Sequence, residues 1–92
     1  MKFDALSNRV IGCAIEVHRQ LGPGLLESVY RCCLAHELHA AGLAFETEKP
    51  VPVRYKGVDL DCGFRIDVLV ENALIVELKS VDVLLGVHEA QV

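Results

Sequence analysis

Three charged residues, Asp67, Glu77 and Lys79, interrupt two otherwise apolar runs, Phe64-Arg65-Ile66-Asp67-Val68-Leu69-Val70 and Leu74-Ile75-Val76-Glu77-Leu78-Lys79-Ser80. Withdrawing a carboxylate or an ammonium from water is costly unless it is paired or bound to a metal, so three interruptions of two strand-like runs point to chemistry. Glu71-Asn72-Ala73 between the runs has the length and polarity of a hairpin loop, and Asn72 tolerates the left-handed conformation such loops use. Pairing Val70 with Leu74 sets Asp67 opposite Glu77 and Arg65 opposite Lys79. Side chains alternate along a strand, so Phe64, Ile66, Val68, Val70, Leu74, Val76, Leu78 and Ser80 then share one face. Arg65, Asp67, Leu69, Ile75, Glu77 and Lys79 share the other. A slip of one residue would destroy this separation, and the apolar pattern therefore argues for the register.

Carboxylates facing one another across two strands, with Cβ atoms about 4.5–5.5 Å apart, repel unless a cation or a proton lies between them. Oxygen-only ligands suit a hard divalent ion, magnesium or manganese. An amine two residues beyond Glu77 on the same face can orient a metal-bound water and neutralise charge developing on a phosphate. The competing reading is a solvated salt-bridge lattice, Asp67 with Lys79 and Glu77 with Arg65, of the weakly stabilising kind common on surfaces.

The elements that must carry these groups follow from periodicity. From about Leu6 to Gln20, Val10, Ala14, Val17 and Leu21, joined by Ile11 and Ile15, form an apolar stripe at helical spacing, with Ser7 as a cap. Gly22-Pro23-Gly24 ends that helix. A second helix is expected from about Leu25 to Ala41, with Leu26, Val29, Tyr30, Cys33, Leu34 and Leu38 on its apolar side and Gly42 closing it. Tyr30 reads as core with its hydroxyl on a polar partner. From Ala44 the period changes to two: Phe45-Glu46-Thr47-Glu48 and Val51-Pro52-Val53-Arg54-Tyr55 read as strands, Lys56-Gly57 as a turn into Val58-Asp59-Leu60. Pro50 and Pro52 place their segment at a sheet edge. Gly86-Val87-His88 is expected to begin a further helix.

Ninety-two residues, 52% of them apolar, fit one small domain spanning 1–92. No apolar run approaches membrane-spanning length and the first residues lack the apolar core of a secretory signal, so a cytoplasmic protein with no membrane partner is expected. The four cysteines, Cys13, Cys32, Cys33 and Cys62, match neither a disulfide framework nor a paired zinc motif, and reduced thiols are expected. The net charge of −4 argues against a tight autonomous grip on nucleic acid. Its distribution is uneven: residues 1–56 carry seven Lys/Arg against six Asp/Glu, and residues 57–92 two against seven. The acid excess thus lies in the half holding Asp67 and Glu77, where a bound cation would offset part of it.

Asp67 followed by Glu77-Leu78-Lys79 resembles the D…ExK signature of the PD-(D/E)xK nuclease superfamily. The segment Glu16 to Tyr30 resembles the opening of the bacterial GxxExxY protein family within it, Gly24, Glu27 and Tyr30 matching the naming residues. His88-Glu89-Ala90-Gln91 is similar to that family's later segment, and the resemblance covers essentially the whole chain. It implies an α/β, restriction-endonuclease-like core: two N-terminal helices followed by a mixed β-sheet, with a C-terminal helix and strand missing and the chain truncated. It also implies that Asp67 and Glu77, aided by the Leu78 main-chain carbonyl, bind Mg2+ or Mn2+, that Lys79 is the catalytic lysine, and that Glu27 reaches the same metal. His18 and Gln91 are accessory positions.

The implied function is metal-dependent hydrolysis of phosphodiester bonds in nucleic acid. The alternative is a non-catalytic nuclease-like module that binds nucleic acid or a protein. If the sheet lacks its final layer, Val76 and Leu78 are left exposed, and a second copy or a protein partner is expected to cover them.

Overall fold

The computed structural model describes residues 2–24, 26–78 and 85–89, which form an antiparallel helix pair laid on an antiparallel sheet. Helix α1 (Lys2–Leu21) ends at Gly22, whose left-handed backbone (φ 75°) lets its N–H donate to the His18 carbonyl at 2.8 Å. Helix α2 (Glu27–Ala40) ends in a two-bond turn: Gly42 N–H donates to His39 O and Leu43 N–H to Leu38 O. That wrap folds Leu43 back onto the core beside Leu38, the apolar contact such a terminus usually brings. Arg9, early in α1, caps a carbonyl past the far end of α2 with a 2.6 Å bond to Ala41 O, while Tyr30, early in α2, donates to Ala14 O at 2.8 Å. The two bonds hold the helices antiparallel.

The sheet has the order β1 (Phe45–Pro50), β4 (Arg65–Val70), β5 (Leu74–Leu78), β6 (Leu85–Glu89), and every pairing among the described residues is antiparallel. Between β1 and β4 the chain makes a separate two-stranded ribbon, β2 (Val53–Tyr55) and β3 (Val58–Leu60). Val70 pairs with Leu74, Leu69 with Ile75 and Val68 with Val76, the register that the apolar alternation requires. β1, which ends in Pro50, is an edge strand of this sheet, whereas the Val51–Tyr55 segment expected at its edge leads through Pro52 into β2 of the separate ribbon.

Helix α1 lies over β5 and α2 over β1. The core between the layers is Val10, Cys13, Ala14 and Val17 from α1, Tyr30, Leu34 and Leu38 from α2, Leu43, and Val68, Val70, Leu74, Val76 and Leu78 from the central hairpin. Each side chain of Val or Leu size withdrawn in this way contributes about 1.5–3 kcal/mol relative to exposure.

Four expectations change. The buried stripe of α1 is narrower than its sequence suggests, since Ile11, Ile15 and Leu21 are exposed, as are Leu26 and Val29 at the start of α2. One sheet face offers room for one row of side chains per helix, and residues a single position off that row rotate by about 100° away from it. Ser7 lies inside α1, which begins at Lys2, and is no cap. Val76 and Leu78 are not exposed: they are 0% and 4% accessible beneath the helices. Finally, Gly86-Val87-His88 belongs to a strand, β6, rather than opening a helix. The free edge of β5 offers a row of backbone donors and acceptors to whatever segment lies alongside, and pairing satisfies them at once, whereas a helix must first overcome a costly nucleus.

Candidate active site

The tight end of the β4–β5 hairpin is closed by Glu71 and Asn72, both left-handed (φ 52° and 55°), with Ala73 N–H donating to Val70 O at 3.0 Å. Glu71 secures this conformation through two bonds to one residue: its carboxylate accepts from Ala44 N–H at 2.7 Å and its own N–H donates to Ala44 O at 2.8 Å. With the turn and the first three residue pairs pinned, the chemistry falls at the open end.

There Asp67 Oδ2 accepts the Leu78 main-chain N–H at 2.8 Å. A side chain therefore takes the place of a carbonyl as that donor's partner, holding the Asp67 carboxylate beside the strand that carries Glu77. The ladder ends at Val68 with Val76, one step short of Asp67 and Glu77. Both residues are half-buried. They sit where the buried interior gives way to solvent.

Two residues that sequence reasoning missed complete this end. Arg31 of α2, one helical turn beyond Glu27, reaches across to both Glu48 Oε1 at 3.0 Å and Asp67 Oδ1 at 3.6 Å. Its side chain is only 19% exposed against 63% for Glu48, so the guanidinium is held in a partly desolvated position where charge pairing is stronger than at the open surface. Glu48 has a left-handed backbone (φ 52°) inside β1, and the pairing of β1 with β4 skips it: Thr47 meets Val68 and Lys49 meets Ile66. That register brings Glu48 abreast of Asp67. Nothing in the local sequence announces this trio, because Arg31, Glu48 and Asp67 are remote in the chain and converge only when α2 lies on β1.

The remaining predicted site residues are distributed as follows. Glu27 opens α2, half-buried, in a first turn where a carboxylate also stabilises the helix dipole. The chain enters that turn through Gly24 (φ 85°), with Leu26 supplying no side-chain cap. Tyr30, the third residue of the same motif, is buried and fixed to Ala14, and burial pushes its phenol pKa up, so it is a neutral donor. His18 is exposed in the last turn of α1. Lys79 and Gln91 lie outside the described residues. Among the described residues no three His, Cys, Asp or Glu side chains gather closely enough to form a metal cage.

The sequence model of the PD-(D/E)XK nuclease superfamily matches residues 4–92. The chain belongs to that superfamily. Neither a curated protein nor a solved structure matches the chain. For a PD-(D/E)XK nuclease the helix pair followed by an antiparallel sheet is the expected α/β order, and members of the superfamily generally use divalent metals. Carboxylate oxygens such as those of Asp67 and Glu77 are the donor type such an ion takes. Magnesium keeps several waters and is typically held by only one or two carboxylates, so a pair of acids does not need to be a closed cage. No helix among the described residues is long and apolar enough to cross a membrane.

Proposed function

We propose that this PD-(D/E)XK domain is a metal-dependent nuclease of the GxxExxY type, hydrolysing phosphodiester bonds in nucleic acid. The observation that carries the reading is the Leu78 N–H to Asp67 Oδ2 bond, which fixes one acid of the D…ExK signature against the strand bearing the other. In this reading Asp67 and Glu77, with the Leu78 carbonyl, hold Mg2+ or Mn2+, and Glu27 joins them or relays a proton. The ion would polarise the phosphate and lower the pKa of an attacking water. Lys79 orients that water and offsets charge gathering on the phosphate oxygens. Arg31 neutralises Glu48 and Asp67 and so keeps the acidic end from repelling a polyanionic substrate.

The test is magnesium and manganese binding by calorimetry together with cleavage of plasmid and single-stranded DNA. Asp67→Asn is expected to abolish metal binding and lower cleavage by about 10²–10³-fold, the scale on which single electrostatic contacts to a transition state act. Wild-type protein that binds neither ion, or Asp67→Asn that binds as well as wild type, removes the proposal.

The Arg31–Asp67 pair also favours a second reading, a non-catalytic module binding nucleic acid or a protein, because a guanidinium already supplies the positive charge that Asp67 needs. Under that reading Arg31→Ala exposes an uncompensated Asp67 and destabilises the fold without creating metal affinity. Under the nuclease reading the same substitution leaves the carboxylates able to bind metal, and added Mg2+ raises the melting temperature of Arg31→Ala more than that of wild type.

A further inference from the structure

The β2–β3 ribbon stands apart from everything so far described. Val53 pairs with Leu60, Arg54 with Asp59 and Tyr55 with Val58, so Val53, Tyr55, Val58 and Leu60 share one face and the Arg54–Asp59 ion pair (3.2 Å) occupies the other. The apolar face is bare: Tyr55 is 58% and Val58 55% exposed, and none of the four joins the core. A lone two-stranded hairpin is marginal in water, and an apolar face on it contributes nothing to the interior. At its tip Lys56 and Gly57, both left-handed (φ 50° and 78°), make the tight turn, and the Lys56 ammonium lies 5.6 Å from the centre of the Tyr55 ring.

Charge says what kind of partner fits. From Lys49 to Arg65 the chain carries Lys49, Arg54, Lys56 and Arg65 against Asp59 and Asp61, a net +2 within a protein of net −4. The ribbon itself is balanced, Arg54 and Lys56 against Asp59 and Asp61; the excess comes from Lys49 and Arg65 at its base, and Lys56 is the cation beside the aromatic ring. Position agrees. Val51 N–H donates to Phe64 O at 2.9 Å to close the ribbon's base, Pro50 pairs with Arg65 just beyond, and Asp67 is two residues further along the same strand.

We propose that the ribbon is the arm by which this domain holds a single-stranded nucleic acid, Tyr55 stacking on a base and Lys56 meeting phosphate. This rests on the nuclease reading for its substrate class and deepens it by choosing the strand state. A flat aromatic and aliphatic face suits bases whose faces are free, whereas a duplex hides them, and stacking of this kind combined with cations is the general means of gripping single strands. Leu60 and Asp67 are seven residues apart, at most roughly 23 Å at about 3.3 Å per residue, so a short oligonucleotide spans both arm and carboxylates.

The experiment uses the whole chain and a fluorescently labelled single-stranded 12-mer, with the corresponding duplex in parallel, and reads anisotropy as a function of salt. Tyr55→Ala is expected to weaken single-strand binding about tenfold. Tyr55→Phe keeps the ring and leaves it within about twofold. Lys56→Asn retains a residue at ease in the left-handed turn while removing the charge, and lowers the salt slope by about 0.7. Hydrolysis of bis(4-nitrophenyl) phosphate, too small to reach the arm, is unchanged in all three variants. Unchanged single-strand affinity of Tyr55→Ala overturns the ribbon's role, as does equal affinity for the duplex. A Tyr55→Ala variant that turns a sedimenting dimer into a monomer also overturns it, in favour of a second copy. In each of these outcomes the small diester still reports the nuclease reading separately: if wild type fails to hydrolyse it with either metal, that reading falls whatever the ribbon does.

Discussion

The two hairpins of this protein are built by the same local device and end in opposite circumstances. In β4–β5 the turn residues Glu71 and Asn72 are left-handed, and in β2–β3 Lys56 and Gly57 are. Both turns feed antiparallel pairs in which one face is apolar. Yet Val68, Val70, Leu74 and Val76 are fully buried, while Val53, Tyr55, Val58 and Leu60 are all exposed. The difference teaches that turn chemistry and alternation decide that a hairpin forms and in which register, and that layer packing decides what the hairpin is for. The covered one becomes scaffold and presents its acids at its open end. The bare one keeps its apolar face available.

Unequal substitution costs would sharpen this contrast, and equal ones would break it. The largest effect is expected at Leu74→Ala, about 2–5 kcal/mol by urea denaturation, since the side chain is fully buried between helices and sheet. Tyr30→Phe comes next, at about 1 kcal/mol, because it deletes the buried bond to Ala14 O while keeping the ring. Smallest of all is Val58→Ala on the ribbon, within about 0.5 kcal/mol. A Val58→Ala loss comparable to that of Leu74→Ala would mean the ribbon is packed in solution.

Titration reports on the packed helices. Burial raises the Cys13 thiol, with Glu37 adding to the shift and Arg9 opposing it, and burial raises the Tyr30 phenol. For both groups the folded pKa lies above the unfolded one, so the unfolded chain loses its protons first. Their stabilising contribution is complete below the ordinary thiol and phenol values, about 8.5 and 10, and disappears as pH rises through the folded values. The expected outcome is a melting temperature that declines above about pH 9 in wild type and less steeply in Tyr30→Phe. At neutral pH the exposed Cys32 and Cys62 should alkylate well before Cys13, read by mass spectrometry of timed samples.

The site end of the molecule shows where reading residues in order stops being sufficient. Asp67 and Glu77 stand out because charge breaks an apolar alternation, and the register of the hairpin that carries them, Val70 with Leu74, follows from that alternation alone. Glu48 and Arg31 carry no such mark. Glu48 belongs to a strand with polar neighbours on both sides, and Arg31, the one Lys or Arg of α2, sits on a helix where a charge is ordinary. Only the seating of α2 against β1 reveals that one guanidinium serves two carboxylates.

Short-range physics was legible from the chain itself. Helix ends at Gly22 and Gly42 and the pairing of Val70 with Leu74 each depend on a few neighbouring residues. So do the turns. Tertiary structure alone decided that Ile11, Ile15 and Leu21 stay outside, that Val76 and Leu78 are covered, that 85–89 pairs as a strand and that Arg31 bridges to Asp67. Those outcomes depend on which surfaces meet after the elements exist, and a surface contact is a property of distant segments together, which no local window of sequence contains.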